Sequence, residues 1–572
     1  MSEQRTPQQR PPRAVALANG GVAAAILVVV VAFGVAVSQA APPSIAAFAP
    51  DVQQHAHQKS LTGQQGANAL GAALPSSAAV KPSPTPAPTA AAHATPTPNL
   101  LAGRPASLHC VGNPPHQTDD PQSPPCKQSF SGSNGGATSP GVTADTINVA
   151  WPDMFSTGFP VENEALTNDV LNYVNAHFEL YGRKIKLKGL PISGGAGGFS
   201  SPNAQAQVQD ADSAVTLFGS QGTFASIGYA PVGGTGFYYY DRLAQDRIVS
   251  VQSSPLLTTD AHMASSPYEW STIPGYDTVE ANLGDLYCHQ LKGHQPDHAG
   301  PPTPPQQTWP LRKIAVYYET TSNSIAIDPQ PLVNTLAACG VQVTAQALSD
   351  SSSNNTAAVN QMEQNGVTTV ACMCAPNQLA DLMNAATDQT WFPEWLVDNE
   401  QFLSYDQSGE NLPAAQQSHV IGIDYNNEVL DPQNEFWYRA VREMDSSYSY
   451  QQSGQDVYAY YRYEELMILA SGIQQAGPNL TPQSFAQGLY DTQYANVGHG
   501  AAPFYQAAVS FSAGDHAFFD DAAAIWFSAS ATSYTVNQGN QGAYCYSNGG
   551  DRSVDWLKPD PVFYGNQSCR GG

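Results

Sequence analysis

The feature of this sequence that most constrains its fold is a regular alternation of short strand-like and helix-like segments that starts near residue 147. Apolar and polar residues alternate in 147–151, which is the pattern of a strand with one buried face. Residues 165–182 then place Leu166 and Val170 on one face of a helix. Strand-like alternation returns in KIKLKGL at 184–190. This order predicts a β-α-β unit at the start of the folded body.

The same rhythm continues along the chain in two series. The first series predicts helices near 204–218 and 234–244, and strands at 223–230 and 247–252. The second predicts strands at 313–319, 341–348, 368–374 and 394–399, and helices near 331–339, 355–365 and 377–387. Regular alternation of this kind indicates parallel sheets with helices on both faces. We therefore expect an α/β chain with two similar lobes.

The N-terminus has the pattern of an export signal. Three arginines within the first thirteen residues precede an uncharged apolar stretch at 21–37, and Ser38 and Ala40 supply the small residues that a signal peptidase recognises. The apolar stretch is long for a secretory signal and near the lower limit for a membrane helix. Residues 1–40 are therefore a signal peptide or an N-terminal membrane anchor, and the body is extracytoplasmic in either case. With no cysteine there to carry a lipid, we favour retention as an anchor.

The segment from 41 to 140 is rich in Ala, Pro, Ser, Thr and Gln and contains KPSPTPAPTAAAHATPTP at 81–98. Such a composition predicts a disordered, partly polyproline linker. The rest of the chain is long enough for two lobes with substantial cores. The net charge of −25 and the lack of a basic stripe after the N-terminus argue against nucleic acid as a partner.

Cysteine usage points to disulfides. The eight cysteines are Cys110, Cys126, Cys288, Cys339, Cys372, Cys374, Cys545 and Cys569. Disulfides are the default in an exported chain. Local pairing would join Cys110 with Cys126, Cys288 with Cys339, and Cys545 with Cys569. Cys372 and Cys374 would then pair with each other or stay reduced. A metal site at Cys372 and Cys374, or at Cys288 with the nearby histidines, lacks a standard ligand spacing, so we expect no metal and no cofactor.

Three segments together resemble a known family. They are GVTADTINVA at 141–150, VNAHFELYGRKIKLKGL at 174–190, and YYRYEELMILASGIQQAGPNLTPQSFAQGLYD at 460–491. In this order they are similar to the amino-acid-binding branch of the type I periplasmic (solute-)binding proteins of ABC transporters. The resemblance extends over about 141–534 and rests on the order of several matches, because the family has no catalytic motif.

The resemblance implies the type I periplasmic-binding-protein fold, in which two Rossmann-like lobes with parallel sheets are joined by three crossovers. Lobe one would comprise 143–270 and 424–503, lobe two 271–423 and 504–534, and a C-terminal tail 535–572. It also implies a function. The chain would be an extracytoplasmic solute-binding protein, not an enzyme, that captures a small polar molecule such as an amino acid between its lobes for an ABC transporter permease. The lobes would close around the ligand.

Candidate ligand contacts follow the strands, because ligands of parallel α/β sheets bind outside the carboxyl ends of the strands. The residues at these positions are Phe155, Ser156, Tyr229, Ser253, Ser254, Ser322, Asn323, Asp398 and Asn399. By resemblance, Ser253 and Ser254 would hold a ligand carboxylate and Asp398 a ligand ammonium group. Val232 and Gly233 stand where such relatives carry a serine, so the match to a carboxylate site is incomplete. Ser, Thr, Asn and Asp also serve commonly as turn and cap residues.

Two other functions remain open from the sequence. A membrane-tethered sensor would have the same fold and would pass its signal to a membrane partner through 21–37. A secreted hydrolase would need a site assembled in space, because the sequence contains none of the motifs G-x-S-x-G, H-E-x-x-H, G-x-x-x-x-G-K-[ST] or G-x-G-x-x-G. We therefore assign no catalytic residue.

Overall fold

The structure of the chain is a computed structural model. It describes residues 110–153, 164–191, 204–228, 237–253, 258–302, 307–319, 328–348, 352–399, 403–450, 454–497, 506–534, 541–547, 552–557 and 569. All of them belong to one compact unit. The predicted export signal and most of the predicted linker lie outside the described residues. Within the described residues, no helix combines the length and the apolar character needed to cross a membrane.

Strands and helices alternate along most of the described chain. The strands are β1 Thr146–Asp153, β2 Lys184–Pro191, β3 Ala225–Ile227, β4 Val249–Gln252, β5 Glu269–Ser271, β6 Ile314–Glu319, β7 Gln346–Leu348, β8 Thr369–Met373, β9 Glu394–Val397, β10 Val420–Asp424, β11 Ala522–Thr532, β12 Gln541–Tyr546 and β13 Arg552–Ser553. The α-helices are α1 Glu164–His177, α2 Ala204–Thr216, α3 Phe237–Gln245, α4 Asp260–Met263, α5 Tyr276–Leu286, α6 Gln330–Ala338, α7 Ser352–Gln364, α8 Pro376–Asp388, α9 Asp406–Glu410, α10 Phe436–Met444, α11 Gly454–Ala476 and α12 Pro482–Tyr490.

The first sheet has the strand order β2-β1-β3-β4-β5, and every neighbouring pair is parallel. Its central strands carry apolar side chains towards helices on both faces, as the sequence predicts. Ile147 and Val149 of β1 are fully buried, and so are Val170 and Val174 of α1. The β-α-β unit predicted from the spacing of these residues is confirmed.

The second sheet has the order β12-β11-β10-β9-β8-β6-β7, with β13 paired to β11. Strands β6 to β10 are parallel, as predicted. Strands β11, β12 and β13 are instead antiparallel to their neighbours. Residues 535–572, which we expected as a separate tail, thus supply β12 and β13 to this sheet. Strand β12 follows β11 closely in the sequence, whereas β11 enters the sheet only after the chain has passed through α10, α11 and α12.

The chain crosses between the two sheets three times. It leaves the first sheet after β5, returns after β10, and enters the second sheet again at β11. Helices α10 and α11 follow β10 but pack against α1, and α11 also contacts β3 and β4. We call the elements around the first sheet lobe one and those around the second sheet lobe two. Two Rossmann-like lobes joined by three crossovers are the fold that the sequence predicts.

Four disulfides join Cys110 with Cys126, Cys288 with Cys339, Cys372 with Cys374, and Cys545 with Cys569. The three local pairs predicted from the sequence are confirmed. Of the two alternatives for the remaining pair, the structure has the disulfide. These cysteines are therefore unavailable as thiolate ligands for a metal ion.

The first disulfide lies in residues 110–140, which the sequence places at the end of the linker. This segment packs on the body instead, and Asp120 and Gln117 are buried in it. The Gln117 side chain donates a hydrogen bond of 2.5 Å to the carbonyl of His177 at the end of α1. The packed body thus begins before the first strand.

Candidate functional site

The predicted ligand contacts are distributed over both lobes. Ser253, Asp398 and Asn399 belong to the described residues. The other predicted contacts lie outside them: Phe155, Ser156, Tyr229, Ser254, Ser322 and Asn323. Ser253 follows β4 in lobe one, whereas Asp398 and Asn399 follow β9 in lobe two.

Ser253 is half-buried at the carboxyl end of β4. Its carbonyl accepts a hydrogen bond of 2.7 Å from the hydroxyl of Thr272, which lies in the first crossover. Ser253 is therefore tied to the first crossover. Its role as a ligand contact stays a prediction.

Asp398 and Asn399 are both buried at the carboxyl end of β9. The Asn399 amide donates to the carboxylate of Asp424, the last residue of β10, and its oxygen accepts a hydrogen bond of 2.6 Å from the backbone N–H of Tyr425. The Asp424 carboxylate also accepts a hydrogen bond of 3.0 Å from the N–H of Asn426. Asn399 thus orders the start of the second crossover, and it contacts the cavity described next only through Asp424.

A cavity with about 760 Å³ of empty space lies between the lobes, and we call it the tyrosine cavity. Its lining residues are Ser404, Tyr405, Asp406, Gln407, Asp424, Asn426, Val429, Leu430, Pro432, Glu435, Trp437, Tyr450, Tyr460, Tyr461 and Tyr534. Ser404 and Tyr405 directly precede α9 and Asp406 and Gln407 begin it, and this helix packs on β11 and β12 of lobe two. Trp437, Tyr460 and Tyr461 come from α10 and α11, which pack on lobe one. Asp424 places the cavity at the carboxyl end of β10.

Six of the fifteen lining residues are aromatic, and two of their rings make contact across the lobes. The rings of Tyr405 in lobe two and Tyr461 in lobe one lie 6.3 Å apart between centroids, at an interplanar angle of 40°. Tyr460 and Tyr461 meet edge to face at 5.3 Å. The hydroxyl of Tyr450 donates to the carbonyl of Tyr534, which joins the two ends of the wall. Aromatic pairs at these separations are in the attractive range.

The charged side chains at the cavity are carboxylates. Asp406 accepts hydrogen bonds from the N–H of Tyr544 at 2.8 Å and the hydroxyl of Ser533 at 3.1 Å, and Glu435 accepts one of 2.6 Å from the N–H of Leu430. Among the described lining residues there is no lysine or arginine. The cavity therefore offers π faces and negative potential, a combination that favours neutral or cationic ligands.

The family is decided by a match to the profile described as Periplasmic binding protein, which covers residues 167–525. The chain belongs to the periplasmic binding protein family. Because that family consists of solute-binding proteins and not of enzymes, this periplasmic binding protein binds a small molecule outside the cytoplasm. A search of curated proteins found no match.

Several solved structures are similar in fold to this periplasmic binding protein. An ABC transporter substrate-binding protein from Desulfitobacterium hafniense shares 13% identity over 70% of this chain and 99% of its own, with a TM-score of 0.45. A fatty acid ABC transporter substrate-binding protein from Thermomonospora curvata shares 14% identity over 74% and 96%, with a TM-score of 0.44. A leucine-binding protein from Thermotoga maritima shares 10% identity over 70% and 97%, with a TM-score of 0.46.

Arg462 is a buried cation beside the carboxyl end of β3 that the sequence did not single out. Its guanidinium pairs with the carboxylate of Glu465 one turn further along α11 and lies 3.5 Å from the carbonyl of Gly228. Gly228 has a φ of 76°, and a Cβ at this position would overlap the guanidinium. Glycine is therefore required here for both conformation and space. Glu465 neutralises the arginine, so the binding protein gains no net positive charge at this strand end.

A second cavity of about 500 Å³ adjoins the first, and we call it the acidic cavity. Its carboxylates include Asp120, Glu428 and Glu464, and it shares Glu435 and Tyr460 with the tyrosine cavity. Burial raises the pKa of Asp120 to about 6 and raises that of Glu464 well above its ordinary value. Because the disulfide-bonded N-terminal segment supplies Asp120, no strand pattern could have indicated this part of the binding protein.

Proposed function

We propose that this protein is the extracytoplasmic solute-binding component of an ABC transporter and that its solute binds in the tyrosine cavity. The observation that carries the proposal is the position of that cavity, which is lined by both lobes at the carboxyl end of β10. A permease of the same transporter would receive the solute.

The proposed solute is a small amine with an apolar or aromatic body, a class that includes amino acids and related compounds. Tyrosine and tryptophan faces attract an ammonium group, and the carboxylates of Asp406, Asp424 and Glu435 add negative potential. Asp398, the ammonium partner that the resemblance predicts, is not among the residues that line this cavity, so that role stays a separate prediction. The loops beyond β1, β3, β4 and β6 contain no lysine or arginine, which argues against a purely anionic solute.

Binding would be coupled to closure of the lobes. A solute between Tyr405 and Tyr461 touches lobe two and lobe one at once, so it has more contacts in the closed form than in the open one. We propose the lobe boundaries 143–270 with 424–503 and 271–423 with 504–534, and assign β12 and β13 to lobe two. Residues 1–40 would export the protein and keep it near its transporter as an anchor.

Mass spectrometry of small molecules released from the purified protein identifies the solute, and calorimetry then measures its affinity. Tyr461→Ala removes one wall of the cavity and is expected to weaken binding by about tenfold or more, the effect of one ring contact worth roughly 1.4 kcal/mol. Tyr268→Ala is the matched control, because this tyrosine bonds to Gln483 and does not line the cavity. Equal affinity in the two variants would place the solute elsewhere.

The charge of the solute provides an independent check on the site. The sequence prediction for Asp398 is tested separately, because this residue does not line the tyrosine cavity: Asp398→Ala should weaken the binding of an amine by a few kcal/mol only if its carboxylate meets the ammonium group. A released solute with only negative charges would contradict the proposed class of ligand, although the family assignment would stand.

A further inference from the structure

Three side chains with metal-binding atoms converge at one end of the first sheet. Asp241 lies on α3, His262 on α4, and Glu269 is the first residue of β5. The Nε2 atom of His262 is 2.9 Å from Oδ1 of Asp241 and 3.9 Å from Oε2 of Glu269. All three ligand atoms lie within 4.8 Å of one another. None of these residues lines the tyrosine cavity or the acidic cavity.

The cluster holds more negative charge than its surroundings balance. The side chains of Asp241, His262 and Glu269 are 12%, 18% and 5% exposed, respectively. Oδ2 of Asp241 is buried and has no hydrogen-bond partner among the described residues. The Glu269 carboxylate faces the same two groups, with its Oε2 3.9 Å from the imidazole of His262.

Two buried carboxylates that face each other across a single imidazole repel one another. A buried carboxylate that is only 5% exposed normally has a cation or several hydrogen-bond donors. One positive ion between the three groups would supply what Glu269 lacks.

We propose that Asp241, His262 and Glu269 bind one divalent transition-metal ion, with Zn²⁺ as the preferred ion. An imidazole nitrogen with two carboxylate oxygens suits zinc, whereas Ca²⁺ and Mg²⁺ prefer oxygen ligands alone. Zinc bonds of about 2.0–2.2 Å place tetrahedral ligand atoms roughly 3.3 Å apart. The separations of 2.9 and 3.9 Å lie on either side of that spacing. A water molecule would complete the tetrahedron.

The elements that carry the ligands are held in place by other contacts. The Thr259 hydroxyl accepts a hydrogen bond of 3.1 Å from the N–H of His262 and so caps α4. The Asp260 carboxylate accepts one of 2.6 Å from the N–H of Gly275, which ties α4 to the start of α5. The carbonyl of Glu269 accepts one of 2.8 Å from Nδ1 of His516. Such prior ordering of the backbone lowers the cost of metal binding.

The ion would join α3, α4 and β5 at the edge of lobe one. Because α4 lies between β4 and β5, it follows the loop that begins at Ser253. A metal ion there would stabilise the edge of the sheet without contacting the solute. This site does not depend on the proposed function, and each can fail without the other.

Calorimetric titration of ZnCl₂ into the full chain, stripped of metal with a chelator, tests the site. One equivalent of Zn²⁺ should bind, and the thermal midpoint should rise with Zn²⁺ concentration. Glu269→Gln, which removes the charge and keeps the shape, should weaken Zn²⁺ binding at least about 100-fold, because outer-shell partners alone contribute about 10- to 100-fold. His262→Ala should have the same effect. CaCl₂ should bind far more weakly than ZnCl₂.

His289→Ala is the matched control for Zn²⁺ binding by an exposed imidazole, and it should leave the titration unchanged. Circular dichroism of Glu269→Gln without metal establishes that the variant folds, since it retains the side-chain volume. Unchanged Zn²⁺ affinity in Glu269→Gln and His262→Ala, or no saturable Zn²⁺ binding by the unsubstituted chain, would overturn the proposed site. Tighter binding of Ca²⁺ than of Zn²⁺ would overturn the choice of ion.

Discussion

Each lobe buries a glutamate at the first residue of a strand, but the surroundings of the two differ. Glu394 begins β9 in lobe two and forms a bidentate pair with Arg312, with N–O distances of 2.7 and 2.8 Å. It also accepts hydrogen bonds from the hydroxyl of Thr369 at 2.9 Å and the N–H of His298 at 3.1 Å. Glu269 begins β5 in lobe one, and the charged side chains recorded beside it among the described residues are His262 at 3.9 Å and the like-charged Asp241.

The difference in surroundings separates the structural role of Glu394 from the metal-binding role that we propose for Glu269. Removal of an ion from water costs several kcal/mol, and only good geometry with further hydrogen bonds offsets the cost. Glu394 meets those conditions entirely within the chain. Glu269 does not meet them with the described residues, so a cation from solution is the simplest way to complete its environment. Asp120 is another buried carboxylate, and none of the groups that shift its pKa is a cation.

The largest effect on stability is expected at the buried pair of Arg312 and Glu394. Arg312→Ala leaves Glu394 buried without its cation and should lower the free energy of unfolding by about 3–5 kcal/mol. Both side chains are fully buried, so solvent screening does not reduce the loss. Urea denaturation followed by circular dichroism measures it. A loss below about 1 kcal/mol would mean that Glu394 has no more need of a cation than Glu269.

A smaller effect is expected at Asp120, whose pKa is raised from 3.8 to about 6. An acid with a raised pKa in the folded protein binds its proton more tightly there than in the unfolded chain, so stability falls as pH rises from about 4 to 6 and is level above that. The total fall is about 3 kcal/mol for a shift of roughly two units. Asp120→Asn should remove this fall, and its Oδ1 can still accept the hydrogen bond that the N–H of Gln122 donates at 2.9 Å, while its amide N–H can donate to the hydroxyl of Tyr463.

The comparison of the two Asp120 proteins is made by urea denaturation between pH 4 and pH 7. The stability difference between Asp120→Asn and the unsubstituted chain should grow in favour of the variant across that interval. A stability difference that is the same at all pH values would show that the pKa of Asp120 is the same in the folded and unfolded protein. The contrast between buried carboxylates with a cation partner and those without one would then be weaker.

The smallest effect is expected for an exposed ion pair. Arg242 of α3 contacts Asp212 at 2.7 Å and Asp246 at 2.5 Å, and both aspartates are substantially exposed. Arg242→Ala should change the free energy of unfolding by at most about 1 kcal/mol, and less at high salt. A loss comparable to that of Arg312→Ala would remove burial as the explanation for the difference.

Local patterns were sufficient for most of the parallel core. The helix expected near 355–365 is α7, Ser352–Gln364, and the helix expected near 377–387 is α8, Pro376–Asp388. Periodicity succeeds in such segments because one face of each element is buried over several turns. The strand expected at 341–348 is shorter, since only Gln346–Leu348 pairs with β6. Strand β5 has three residues, too few for any alternation to be recognised.

The sites were less accessible from sequence, because their residues come from distant parts of the chain. Tyr405 and Tyr461 meet only because the chain crosses to lobe one after β10 and the two lobes face each other there. Most apolar residues of α11 pack in the core, and the turn with Tyr460 and Tyr461 lines the cavity. Asp241, His262 and Glu269 have no motif spacing, since three separate elements carry them. The sequence indicated that Ser253, Asp398 and Asn399 follow strands, but it did not indicate which residues their side chains contact.

The most direct test of the central claim is a crystal structure of the protein with its identified solute bound. We expect electron density for the solute in the tyrosine cavity, against the rings of Tyr405 and Tyr461 and within reach of residues from both lobes. Solute bound elsewhere in the body, with the tyrosine cavity empty and the lobes closed, would contradict it.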